Sequence, residues 1–365
     1  MRELTSDDAR HAVLGGGVFA CGGGGWRRHG ELMGMMATSM GRPVLATADE
    51  LPADSWVATV AAIGAPASKN WEIQPVDYVH ALQTLIEVCE HPIAAVITGQ
   101  NGYSTTVNGW IQSAVLGVKV LDAAGDVRAH PTGKLGSLGL TSRPGYRTTQ
   151  VVSGGNRALH GHFLSVNEGS VATCDDVLRD ISVRTGGFIA SARNPVELSW
   201  VRENAALGSI SLALDLGAAM ERVALGTSTG SAGAVIDAVC ATIGGKVLAR
   251  GELRHEVPLD TRGGFDHGTF RIGEYTVPYL NEFMAVIADG ERVASYPDTI
   301  AILHAGDGLP LAVEHAREGM PVVLVTADAT GLPLSSSALD PVAVGECEDL
   351  LGIEFLRYLP AKAPA

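Results

Sequence analysis

Apolar positions in the first third of the chain alternate between two periods. Val44 to Ala46 and Trp56 to Ile63 are short, continuous apolar runs that predict strands, and Ile93 to Thr98 predicts a third, fully buried one. Between them Tyr78, Val79, Leu82, Leu85, Ile86 and Cys89 keep helical spacing, and a further helix and strand follow, ending near Leu121. Ser6 is placed to cap a helix starting at Asp7, with Asp7 and Asp8 at its positive end. This alternation predicts βαβ units, hence a mostly parallel sheet flanked by helices.

The pattern then changes twice. Residues 175–245 read as mainly helical, with Pro195 at a helix start, a long apolar segment reaching Val223, and a helix through Val235 to Ile243 that stops at Gly244-Gly245. Beyond them, Val247 to Val257, Gly268 to Val277, Phe283 to Ala288 and Thr299 to Leu303 are short β-rich runs separated by turn signals such as Asp289-Gly290. The expected fold is α/β: an N-terminal domain over residues 1–245 with helices on a mostly parallel sheet, then a β-rich C-terminal domain over 246–365.

Composition narrows the function classes. Of 365 residues 46% are hydrophobic and 18% charged, which suits a compact globular protein. Lys and Arg number 26 against 40 Asp and Glu, and the net charge of −14 argues against nucleic acid or an anionic membrane as partner. Cys21, Cys89, Cys174, Cys240 and Cys347 are widely spaced and form no C-x-x-C pair, so neither a disulfide framework nor a zinc ribbon is expected. The start lacks a basic region followed by an apolar one, and Asp215 interrupts the best apolar stretch, so a cytoplasmic protein without membrane spans is expected.

Candidate chemistry clusters in glycine-rich and polar loops. The stretch Leu14 to Gly25 fits no G-x-G-x-x-G, and Gly133-Lys134 no P-loop; an anion-binding nest of backbone N–H groups or a close-packing device remain for the former. Gly226 to Gly230 matches G-x-S-x-G around Ser228, but it joins two helical segments and reads better as adjoining helix caps. His160-Gly-His162 puts both imidazoles on one face if a strand runs through Val166, a spacing that suits a metal, and Cys21 and His130 are further soft ligands. Asp122, Asp126, Arg128 and His130 crowd one loop after a predicted strand, as do residues 98–105, and such sheets bind ligands beyond the carboxyl ends of their strands. Asn281-Glu282 sets an amide and a carboxylate inside an apolar run, which is costly unless they are hydrogen-bonded or catalytic.

Several of these pieces occur in an order that resembles the S-methyl thiohydantoin desulfurase-like family. They are Leu14-Gly-Gly-Gly, Cys21 to Gly25, Ile63-Gly-Ala-Pro66, Ala192-Arg-Asn-Pro195, Arg262-Gly-Gly-Phe265 with Gly268, Asn281-Glu282 and Pro297-Asp298. Two segments depart from the pattern of many members: Thr98-Gly-Gln-Asn-Gly102 replaces a Glu-Ile-Gly-Gly-like loop, and Asp126-Val-Arg-Ala-His-Pro131 replaces a Gly-Arg-Ala-Phe-Pro-Glu-like one. They point towards the desulfhydrase subgroup that acts on the thiohydantoin propionate of ergothioneine breakdown. The resemblance implies hydrolysis at the thione carbon of a 2-thiohydantoin, giving the hydantoin and hydrogen sulfide.

On that reading a divalent metal, zinc by expectation, is held by His160, His162 or His130, and would bind sulfur and bring the pKa of a bound water to about 7. Asp122, Asp126, His130 or Glu282 would handle protons. Asn101 and Asn281, with the turn Cys21, Gly22, Gly23 and Gly24, would contact the ring, and Arg128 or Lys134 would receive the propionate of a small anionic heterocycle. A homo-oligomer is expected. The competing readings are a non-catalytic partner of a hydantoinase- or oxoprolinase-type enzyme, and a cyclic amidohydrolase that opens a C–N bond.

Overall fold

The computed structural model describes residues 1–65, 68–226 and 231–361. Ser228 and Pro66 therefore lie outside the described residues, and with them the heart of the G-x-S-x-G segment.

The first sheet contains β1 (Arg2–Glu3), β2 (Val44–Ala46), β3 (Trp56–Gly64), β4 (Ile93–Thr98), β5 (Lys119–Ala124), β6 (Thr148–Gly154), β7 (Phe163–Gly169), β8 (Phe188–Glu197) and β9 (Ala206–Leu207). Its order is β1-β2-β5-β4-β3-β8-β6-β7, with β9 beside β5. The strands read from apolar runs, β2 to β5, pair in parallel, and helices such as Pro75–Val88 cover them. Antiparallel pairing extends the sheet beyond this core, through β8, β6 and β7 on one side and β1 on the other.

Strand β8 corrects the expected helical stretch. Its ten residues are almost all buried, and Pro195 lies inside it. Asn194 takes φ +55° and the register with β3 shifts between Val57 and Thr59, so the proline sits at an irregularity in the ladder where a missing N–H is tolerated. The helical expectation is met further on, by Ser209–Gly226 and Ala232–Ile243.

The first helix spans Ser6–Phe19, and its cap is Thr5, whose hydroxyl accepts from Asp8 N while Asp8 accepts from Thr5 N. Gly15 to Gly17 fall inside this helix despite their poor propensity, because close approach requires them. A Cβ on Gly15 would stand 1.9 Å from the Ala213 carbonyl oxygen of the neighbouring helix, and one on Gly17 would strike the Tyr103 ring. This first half of the glycine-rich stretch is thus a packing device.

The second sheet is antiparallel. It holds β10 (Lys246–Arg262), β11 (Phe265–Ile272), β12 (Tyr275–Leu280), β13 (Glu282–Phe283), β14 (Ala285–Ala288), β15 (Glu291–Ser295), β16 (Thr299–His304) and β17 (Pro321–Ala327), in the order β15-β14-β12-β11-β10-β17-β16 with β13 beside β12. Long β10 pairs first with β17 and then with β11, which lets one strand serve both halves of the sheet. The sheet docks on the end of the first helix: Phe283 N donates to Cys21 O at 2.6 Å and Val313 N to Gly22 O at 2.8 Å. Cys21 itself joins the apolar cluster of Phe270, Tyr279 and Phe283.

Candidate active site

One cavity lies beyond the carboxyl ends of the parallel strands β3 and β4. Residues 61–64 and 98–100 form its floor, residues 130–133 one wall, and Gly24, Gly25, Asn281 and Glu282 the roof contributed where the two sheets meet. Thr105, Asn108, Arg179, Phe188 and Arg193 complete the lining. The glycine turn, the loop after β4 and Glu282 are thus brought together from distant parts of the chain.

Glu282 is the most distinctive group in it. The residue follows Asn281, which takes φ +56° and trades hydrogen bonds with the Asp266 backbone: Asn281 N donates to Asp266 O at 2.6 Å, and Asp266 N to Asn281 Oδ1 at 2.8 Å. That lock turns the Glu282 carboxyl onto the glycine turn. Gly24 N reaches Oε1 at 3.4 Å, Oε2 has no partner, and a Cβ on Gly23 would lie 2.1 Å from Oε1. Burial pushes the Glu282 pKa up to about 8, against the opposing pull of Arg128, the Gly24 amide and Arg179. A buried carboxylic acid on a residue that lines a cavity, with one oxygen left unpartnered, is suited to carry protons near neutral pH.

His130 faces the same space. Its backbone N donates to Gln100 Oε1 at 3.0 Å, which ties the wall to the floor. The ring Nε2 lies 3.2 Å from the Gly99 carbonyl, and since a carbonyl only accepts, that nitrogen carries the proton. Burial lowers the ring pKa to about 4, with the Gly99 and Thr132 backbones opposing, so the imidazole is neutral and Nδ1 holds a lone pair.

The cations at the cavity are not those expected. Arg193 donates from Nη1 to buried Asp175 at 2.6 Å, while its Nε has no partner. Arg179 donates to Gly264 O and Pro131 O and stacks on Phe265, its carbon Cζ 4.3 Å from the ring centre. Both were legible only through the motifs Ala192-Arg-Asn-Pro195 and Arg262-Gly-Gly-Phe265, which carry Arg193 and the Arg179 partners Gly264 and Phe265.

The other expected site residues are engaged elsewhere. Asp122 receives Ser211 N at 2.9 Å and Ser211 Oγ at 2.6 Å, holding the start of the helix at 209–226, and Asn101 donates to Ser209 O there. Lys134 is ion-paired with Asp176 at 2.7 Å and Glu346 at 2.9 Å, away from the cavity lining. Asp126 accepts from Val127 N and the Tyr296 hydroxyl; burial raises its pKa to about 7, but it does not reach the cavity. Arg128 spends its donors on three backbone carbonyls. Cys21, at φ +47°, is sealed in the core, where burial raises its thiol pKa, and Gly22 lies under the Phe283 ring.

The histidine pair also separates. His160 ends the short helix Arg157–His160, Gly161 turns the chain, and His162 precedes β7, so no strand presents the two on one face. His162 Nε2 meets Ser153 Oγ at 3.1 Å on an exposed edge, and neither imidazole joins His130 in the cavity. Among the described residues no group of three or more His, Cys, Asp or Glu side chains is placed to hold a metal ion. The expected zinc therefore lacks a donor set among the described residues.

This constellation can be set beside known proteins. Models of an S-Me-THD-like N-terminal domain and an S-Me-THD-like C-terminal domain match residues 7–159 and 169–343. The chain belongs to the S-methyl thiohydantoin desulfurase-like family. The crystal structure of a protein from Chromobacterium violaceum shares this family member's fold with a TM-score of 0.73, at 21% identity over 96% of this chain and 97% of that one. No curated protein matches. Among the described residues no helix is long and apolar enough to cross a membrane.

Proposed function

We propose that the protein is a hydrolytic desulfurase that converts a 2-thiohydantoin bearing an anionic side chain to the hydantoin and hydrogen sulfide. Membership of the family supports the reaction class. The observation that carries the site assignment is Glu282: a buried carboxyl with a free oxygen, held by a glycine turn against a cavity that both sheets line.

The chemistry asks for few groups. Water adds to the thione carbon while the Glu282 carboxyl gives a proton to the sulfur and takes one from the water, leaving a tetrahedral carbon that carries OH and SH. The same carboxyl then removes the hydroxyl proton as the C–S bond breaks and protonates the departing sulfide. One water enters and one hydrogen sulfide leaves, with Glu282 unchanged. His130 Nδ1 accepts a hydrogen bond from the water, the Gly24 turn holds the carboxyl, and Arg193 with Arg179 attracts the substrate carboxylate. We place the reaction in the cytoplasm, where the five free cysteines stay reduced.

The test is to incubate the purified protein with a thiohydantoin propionate and follow sulfide and hydantoin together. Sulfide release is expected, with kcat lower by about 100-fold or more in Glu282→Gln, the usual range for losing a general acid–base group. Ring-opened product without sulfide would make the protein an amidohydrolase, and tight binding without turnover a binding partner; either result overturns the proposal.

A further inference from the structure

Arg128 is fully buried, yet it does not line the cavity. Its guanidinium donates from Nε to Ala129 O at 2.9 Å, from Nη1 to Asp298 O at 2.6 Å and from Nη2 to Phe283 O at 2.8 Å. Ala129 immediately precedes His130, and Phe283 immediately follows Glu282. We propose that Arg128 is the positioning residue of the site, a three-way clamp that sets Glu282 against His130 across the cavity.

Three features carry this inference, which rests on the reading of Glu282 above. First, the bonds run between the two sheets: Ala129 belongs to the loop after β5, Phe283 to β13 and Asp298 to the turn before β16. The same segments are tied again by Ala129 N to Phe19 O at 2.8 Å and Phe283 N to Cys21 O at 2.6 Å, so moving the clamp moves the glycine turn as well. Second, only a planar fork with five N–H groups can reach three divergent carbonyls; a lysine ammonium on a flexible stem cannot hold all three directions together. Third, a buried cation hydrogen-bonded to carbonyls is a costly way to join two segments if joining were all that mattered. Its charge has a use, because it acts on Glu282.

The groups around Glu282 define that use. Burial favours the neutral acid; Arg128, the Gly24 amide and Arg179 favour the carboxylate, and Asp266 opposes them. The thiols of Cys21 and Cys347 also lie within its electrostatic reach, and neutral His130 stands across the cavity. Arg128 is the largest of the groups pulling towards ionisation, so it both aims the carboxyl and keeps its titration near neutral pH.

Two variants separate aim from charge. Arg128→Lys keeps the charge and loses the fork: kcat for sulfide release should fall about tenfold or more with KM little changed, and the alkaline limb of the pH profile, set by loss of the Glu282 proton, should stay in place. Arg128→Met loses both, and the profile should move up by roughly one pH unit. Infrared difference spectra, with the carboxyl band assigned by its absence in Glu282→Gln, read the same titration without any substrate, so they judge Arg128 even if no thiohydantoin is turned over. Wild-type kcat in Arg128→Lys, or an unmoved carboxyl titration in folded Arg128→Met, overturns the proposal. If Arg128→Met does not fold, the Lys variant decides it.

Discussion

The segment from Asp122, at the end of β5, through the loop to Lys134 and the turn at Asn281-Glu282 hold similar residue types and meet opposite fates. In the segment nearly every charge is matched: Asp122 by Ser211, Asp126 by Tyr296 and Val127, Arg128 by three carbonyls, Lys134 by two carboxylates. In the turn, Asn281 is matched and Glu282 is left with one long contact and a bare oxygen. A crowded polar loop is therefore weaker evidence of chemistry than a single buried group the fold leaves unsatisfied, because satisfied groups have already used the energy that a ligand would supply. His130 is the loop residue that crosses this divide, since its neutral ring opens on the cavity.

The contrast can be broken most decisively through stability. A carboxyl whose folded pKa lies above its unfolded one favours the fold fully at low pH and loses that contribution as pH rises; for Glu282 the window runs from 4.5 to about 8. Above it the wild type must bury a carboxylate, and Glu282→Gln must not. Unfolding in denaturant should show the Gln variant gaining up to about 5 kcal/mol on the wild type between low pH and about pH 9. A Gln variant with unchanged pH dependence would place Glu282 among the satisfied groups.

Gly23→Ala sharpens the comparison at the next level. The added methyl would meet Glu282 Oε1 at 2.1 Å, so either the carboxyl or the turn must move. We expect a loss of about 1–3 kcal/mol in chemical denaturation together with most of the sulfide release. Asp122→Asn weakens the hold on Ser211, and should cost about 1 kcal/mol while leaving sulfide release intact. The smallest effect is expected at the exposed edge. Alanine at His160 should shift stability by less than about 0.5 kcal/mol and leave turnover unchanged, and a large drop in activity there would restore the metal reading.

Much of the architecture was legible because it is local. Periodicity located β2 to β5 and the helices at 75–88, 209–226 and 232–243, and the change to short turn-separated runs located β10, β14 and β16 and took β11 and β12 as one run, while β15 and β17 were not read. β8 was missed because it is buried nearly throughout and so lacks alternation, and Pro195 within it imitates a helix start. The cap moved by one residue to Thr5 for want of any signal finer than the residue type.

The residue order alone thus determined the family, most of the parallel strands and long helices, and the presence of glycine turns and a misplaced carboxylate at Glu282. Which polar side chains remain available was decided only in three dimensions. Ser211 for Asp122, Tyr296 for Asp126, and Asp176 with Glu346 for Lys134 come from distant segments, and burial acts on Glu282 and His130 only once both sheets close around the cavity. Helical and strand periods are set by neighbours a few positions away; hydrogen-bond satisfaction and desolvation are set by whatever the fold brings alongside.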